Sequence, residues 1–145
     1  MYCNYNSYSM NNGRFAISVH ILTLLADAAA EWVPSEYLAG SININPVLVR
    51  KELSNLREHG LVISKEGKSG GNRLARNPEQ IFMSDVYKAV RQKDLLGKSI
   101  NAPNPQCDVG KEINKHLDSL YDEAEKALLL SLERKSLSDF HKQFS

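Results

Sequence analysis

The chain has 145 residues, 42% of them hydrophobic and 24% charged, with a formal net charge of +1. Such a composition predicts a packed globular protein and excludes wholesale disorder or a grossly basic tail. Two cysteines, Cys3 and Cys107, are too few for a disulfide framework, and without a signal peptide or membrane-length apolar run the chain is expected to be cytoplasmic, with no membrane partner.

Residues 1–9, MYCNYNSYS, are polar and aperiodic and read as a flexible N-terminal extension, with Cys3 incidental. From Asn12 to Ala30 the pattern is helical, with Phe15, Val19, Leu22 and Ala26 on one stripe and Ile17, Ile21, Leu24 and Leu25 on another. A helix apolar on two sides is expected to be buried on two sides, either within its own domain or partly by a second subunit. Trp32-Val33-Pro34 breaks it, and the extended Val33 is placed to add a short edge strand. Ser35 is the expected N-cap of a helix from Glu36 to Ile42, with Glu36 complementing the helix dipole. Asn45-Pro46 then opens a new helix, a favoured cap followed by proline at the first position, running to about His59 and stopped by Gly60.

Two helices joined this tightly describe a helix-turn-helix. On the second, Val49, Leu53 and Leu56 form the core stripe at i, i+4 and i+7. The opposite face carries Val47, Arg50, Lys51, Ser54 and Arg57, next to the Asn45 cap. Short polar, small apolar and Arg/Lys side chains there suit base edges, thymine methyls and phosphates. A basic helix face alone is commonly only solvated surface; its position as the second helix of the motif favours a DNA contact. Leu61–Lys65 and Arg73–Arg76 are the expected strands of a β-hairpin, with Lys68-Ser69-Gly70-Gly71 at its tip. That hairpin is either plain structure or a wing whose Lys68 reaches DNA. From Val47 to Arg76 seven Lys/Arg stand against three Glu, whereas from Asp108 onward six basic residues stand against eight acidic ones. Positive charge is thus concentrated in this unit of a nearly neutral chain.

Asn77-Pro78 closes the hairpin, and Ser84-Asp85 is expected to cap a helix from Val86 to about Gln92. Gly97–Asp108, with Pro103 and Pro105, reads as a loop. The longest predicted helix runs from Val109 to about Leu132, roughly 24 residues and on the order of 36 Å. Its stripe of Ile113, Leu117, Leu120, Ala124, Leu128 and Leu132 is near-heptad. A second subunit is the natural cover for such a helix; folding back on its own domain is the alternative. Leu137, Phe140 and Phe144 either form a short terminal helix or fray. The expected fold class is mainly α with a small β-hairpin, a winged helix-turn-helix plus a long C-terminal dimerisation helix. The divisions are 1–9 extension, 10–96 DNA-binding domain, 97–108 loop, and 109–145 dimerisation helix and tail.

From Met10 to Phe140 these residues resemble the IscR/NsrR/CymR family of bacterial winged-helix repressors. The likeness rests on Arg14-Phe15-Ala16, Ser35-Glu36-Tyr37-Leu38-Ala39, Leu53-x-x-Leu56-Arg57-x-x-Gly60-Leu61-Val62 and Asp85–Val90. The hairpin pattern Gly67-x-x-Gly70-Gly71-x-x-Leu74-Ala75-Arg76 is its most diagnostic part. Residues 104–110 are most similar to a YwnA-like branch lacking the iron–sulfur cysteines. The resemblance implies a homodimer that binds a pseudo-palindromic double-stranded DNA operator and represses transcription. It implies base and phosphate contacts for Asn45, Val47, Arg50 and Lys51. Arg50 stands where a relative has an acidic reader, which implies a different operator. Glu66 stands where many members carry Arg, which shifts the wing's contacts to Lys68 and Arg73. Cluster-bearing members bring three cysteines to the loop before the long helix; Cys107 alone cannot anchor a cluster. The four histidines (20, 59, 116 and 141) show no paired ligand spacing, so no metal and no cofactor are expected.

Cys107 is either an unreactive loop thiol or the sensor of a redox-responsive regulator. Asp108 beside it opposes thiolate formation, and the N-terminus of the following helix favours it. A winged-helix module that binds another protein is the alternative of a different class, and salt dependence separates it from a DNA binder. No catalytic grouping rises above chance, so no enzyme is expected. The operator, the regulated genes and any small-molecule effector are left open.

Overall fold

The computed structural model describes residues 13–91, 96 and 101–144. The expected extension 1–9, the start of the first helix at Asn12, the end of the fourth at Gln92 and part of the expected loop, 97–100, lie outside them. The elements in order are α1 (Arg14–Asp27), α2 (Ser35–Ile42), α3 (Pro46–Glu58), β1 (Val62–Lys65), β2 (Gly71–Leu74), α4 (Met83–Val90), α5 (Ile113–Glu133) and α6 (Leu137–His141). Short 3₁₀ turns cover Pro78–Gln80 and Lys142–Phe144.

Helix α1 buries Val19, Ile21, Leu22 and Leu25, while Phe15, Ile17, Leu24 and Ala26 pack at the edge of the same core. It stops short of the expected Ala30 because Ala29 turns left-handed, with φ 55°. That turn sends the chain to Val33, whose N–H and C=O pair with Asn72 at 2.9 and 2.8 Å. The expected edge strand is therefore present as a single antiparallel bridge beside the hairpin.

The hairpin register pairs Val62 with Leu74 and Lys65 with Gly71. Its second strand begins two residues before the expected Arg73 and ends at Leu74, not Arg76. The cause is the close approach of Val33: a Cβ on Gly71 would lie 2.7 Å from the Val33 carbonyl carbon and oxygen, so only glycine fits against that edge.

Two other helix starts differ from expectation. Ser35 is the first helical residue rather than the cap. Pro34 precedes the helix in extended conformation, and the Ser35 hydroxyl lies 3.3 Å from the Asn72 amide nitrogen, which donates to it. Helix α4 begins at Met83 because the Asp85 carboxylate accepts the Phe82 N–H at 2.9 Å, which makes Asp85 the third helical residue. The long helix α5 has 21 residues, about 31 Å at the usual rise, rather than the expected 24. Residues 109–112 wind into tight turns instead, with the Lys111 N–H on the Cys107 carbonyl at 2.9 Å.

Leu137 sits fully buried in the core shared by α1, α3 and α4. Its N–H bonds the Ile81 carbonyl at 2.7 Å, and His141 Nε2 meets Asp27 Oδ1 at 3.0 Å, so α6 is pinned to α1. In contrast, no residue of α5 is buried. Its main tie to the rest is the contact with α4, and Arg91, just past the end of α4, forms an ion pair with Glu125.

Candidate nucleic-acid interface

The tight turn between α2 and α3 is built from two asparagines. Asn43 ends α2 in the left-handed region, φ 62°, with its N–H on the Ala39 carbonyl. Asn45 caps α3, its Oδ1 accepting the Val47 N–H at 2.9 Å, with Pro46 in the first position. At the other end Leu61 N–H bonds the Leu56 carbonyl and Gly60 N–H the Arg57 carbonyl, both at 3.0 Å. That pair of bonds around a left-handed Gly60, φ 71°, is a Schellman stop.

Between those ends α3 is two-faced. Val49, Leu53 and Leu56 are buried. Asn45, Val47, Arg50, Lys51, Ser54 and Arg57 are all exposed, as the expected reading face requires. Val47 is 60% exposed, a large apolar side chain left in water at the start of the helix. Isolated in solvent it contributes nothing; against a thymine methyl it would.

Beside this face stands the hairpin. Its five-residue tip, Glu66–Gly70, turns at Gly67 with φ 101°, and Glu66 and Lys68 are exposed there. Arg73 is placed differently from Lys68. Its guanidinium lies 4.2 Å from the centroid of the Trp32 ring, with Lys65 Nζ at 5.9 Å from the same ring. A stacked cation is held in one place, so Arg73 presents a fixed positive charge on the flank of the wing rather than a free tip.

Three residues of this region carry little signal in the sequence. Trp32, by its place in Trp32-Val33-Pro34, signals only a helix break. Asn72, buried in β2, donates its amide to the Val33 carbonyl at 3.1 Å and receives the Ser64 hydroxyl at 2.8 Å. Glu52, on α3 itself, is only 4% exposed and is bound by Arg14. A polar residue just before the expected strand and an acid inside a basic helix are the available signals, and both are weak.

The expected dimer face consists of Ile113, Leu117, Leu120, Ala124 and Leu128 on α5. All are half-buried or exposed, Leu120 at 54%. At its C-terminal end the stripe reaches Leu132, which borders an open apolar groove of about 930 Å³ lined also by Phe15, Val19, Leu24 and Phe140. Cys107 is an exposed free thiol whose sulfur accepts the Gly110 N–H at 3.4 Å. Among the described residues no helix is long and apolar enough to cross a membrane.

In comparison with known proteins, residues 11–143 match the Rrf2 family, described as an iron-dependent transcriptional regulator. The chain is 37% identical over 130 residues to YwnA of Bacillus subtilis (strain 168), named as a candidate HTH-type transcriptional regulator, covering 90% of this chain and 96% of that protein. A crystal structure of a candidate DNA-binding protein is similar with a TM-score of 0.71 at 34% identity, covering 88% of this chain and 97% of the other. CymR, the global cysteine regulator of B. subtilis, has the same fold with a TM-score of 0.63 at 19% identity, covering 90% and 94% of the two chains. Iron in the family description calls for donors. The loop before α5 offers one cysteine, Cys107, and among the described residues no three His, Cys, Asp or Glu side chains converge as a metal site would need. A cluster needs several thiolates, so this donor set does not fit one.

Proposed function

The chain belongs to the Rrf2 family of transcriptional regulators, and from that premise we propose that it is a homodimeric repressor reading a pseudo-palindromic DNA operator through the outer face of α3. The observation that carries this reading is the sidedness of α3. Its inward stripe is fully packed, while Asn45, Val47, Arg50, Lys51, Ser54 and Arg57 all project to solvent beside an exposed Lys68 on the wing. The family is one of regulators and not of enzymes, and the chemistry of this face agrees: donors and methyl groups that suit base edges, with cations that suit phosphates.

Pairing follows from α5. A helix about 31 Å long that packs on its own chain mainly through α4 and Leu132, and fully buries none of its residues, leaves apolar surface to be covered. A second copy supplies the missing cover, with Ile113, Leu117, Leu120, Ala124 and Leu128 facing their counterparts. Two recognition helices held about one DNA turn, roughly 34 Å, apart then match the two halves of a palindrome. Repression follows if the dimer occupies DNA needed by the transcription machinery.

The test is selection of bound fragments from genomic DNA, followed by affinity measurements on the best duplex across salt concentrations. A steep fall in affinity between low and moderate salt, with a two-fold symmetric motif in the selected fragments, supports the reading. Salt-insensitive binding with no enriched motif overturns it in favour of a protein-binding module. A thiol-responsive version rests on Cys107, whose exposed sulfur is already hydrogen-bonded by Gly110. If Cys107→Ser changes neither operator affinity nor its response to oxidant, that version is eliminated.

A further inference from the structure

Glu52 is the one residue of α3 whose chemistry contradicts its surroundings. It follows Arg50 and Lys51 on the helix, yet it points inward and is 4% exposed. Its carboxylate is held by two residues one turn apart on α1. Arg14 Nε donates to Oε1 at 2.7 Å and Nη2 to Oε2 at 3.3 Å, while the Ser18 hydroxyl lies 3.5 Å from Oε2.

Apolar side chains at both 14 and 52 would fill this part of the core without the cost of desolvating charges. Replacing both partners of such a pair is often neutral or stabilising, whereas removing one leaves the other charge unpaired. Core stability is therefore a poor account of the pair. Direction is what it adds. Packing of Val49, Leu53 and Leu56 is non-directional, whereas an arginine fork on a carboxylate fixes position in two dimensions. The consequence for a reading helix is large: a rotation of about 20° moves an atom some 5 Å from the helix axis by about 2 Å, more than a hydrogen bond tolerates.

We propose that Arg14 and Ser18 set the rotation of α3 through Glu52, which makes Glu52 a positioning residue for operator readout. The inference rests on the outer face of α3 being the reading face. Glu52 touches no DNA; it aims Arg50 and Lys51.

The full-length chain is compared with Glu52→Leu and, as a control for the reading face, Arg50→Ala. Each is titrated with the best duplex selected from genomic fragments and with a scrambled duplex of equal length, and each is unfolded in urea. The expected result is that Glu52→Leu is less stable than the parent, because Arg14 is left unpaired, yet folds and loses about tenfold in affinity for the selected duplex, with the scrambled duplex changed by less than about twofold. A residue that only supported the core would lower stability and would not separate the two duplexes. Full discrimination by Glu52→Leu while Arg50→Ala loses it overturns the positioning role alone. Full discrimination by both overturns the reading face and the positioning role with it. Should Glu52→Leu fail to fold, Arg14→Lys keeps the charge and removes the fork; it is expected to lose discrimination several-fold, and unchanged discrimination overturns the proposal.

Discussion

Arg57 donates to the hydroxyl of Ser64 at 2.9 Å, joining the last turn of α3 to the first strand of the wing. The Ser64 hydroxyl in turn donates to Asn72 Oδ1 at 2.8 Å, and the Asn72 amide nitrogen donates to the Val33 carbonyl and the Ser35 hydroxyl. The end of α3, the hairpin and the start of α2 are thereby linked through one buried amide.

Asn72→Ala removes that amide and leaves the Val33 carbonyl with the backbone N–H of residue 72 alone. The expected cost is about 1–3 kcal/mol, that of a buried polar link lost without replacement. Urea denaturation measures it, and an unchanged midpoint would show that the link carries no stability.

Gly71→Ala places a methyl group 2.7 Å from the Val33 carbonyl, at a φ of 151° that side chains rarely adopt. The expected loss exceeds about 1 kcal/mol, because strain and clash act together. Trp32 is the only tryptophan, so its fluorescence reports whether the displaced wing also lifts Arg73 from the ring.

How far the sequence reveals this site depends on the reach of each interaction. The turn, the Asn45 cap, the Pro46 start and the Gly60 stop are encoded within a few residues of where they act, and the structure follows them. The strand register is different: the position of Gly71 is decided by Val33, far away in the chain, so the second strand was expected two residues late. Glu52 is hidden for the same reason. Its partner Arg14 lies 38 residues earlier, and an acid among basic neighbours reads as ordinary solvated surface. The exposed outer face was legible because exposure there is only the complement of a local apolar stripe. The stacking of Arg73 on Trp32 was not, since it depends on where the α1–α2 connection crosses the hairpin.

Leu120→Glu places a charge on the most exposed part of the α5 stripe. Because α5 buries none of its residues in one chain, the fold should hold while the dimer dissociates. Sedimentation should then give a monomer with the parental helical signal, and a persistent dimer would move the interface elsewhere.

Lys68→Ala removes a cation from the wing tip and nothing from the core. Affinity should fall by similar factors on selected and scrambled duplexes, and the salt slope should shrink by about 1, the signature of one lost phosphate contact. A loss confined to the selected duplex would instead make Lys68 a base reader.

The most direct test of the central claim is the affinity of Arg50→Ala for the selected duplex relative to the parent, with dimer and fold verified in the same preparation. The account predicts a loss of about 1–3 kcal/mol on that duplex and a smaller loss on scrambled DNA. Equal affinity of variant and parent for the selected duplex would contradict it, because the exposed face of α3 would then not be the surface that reads the operator.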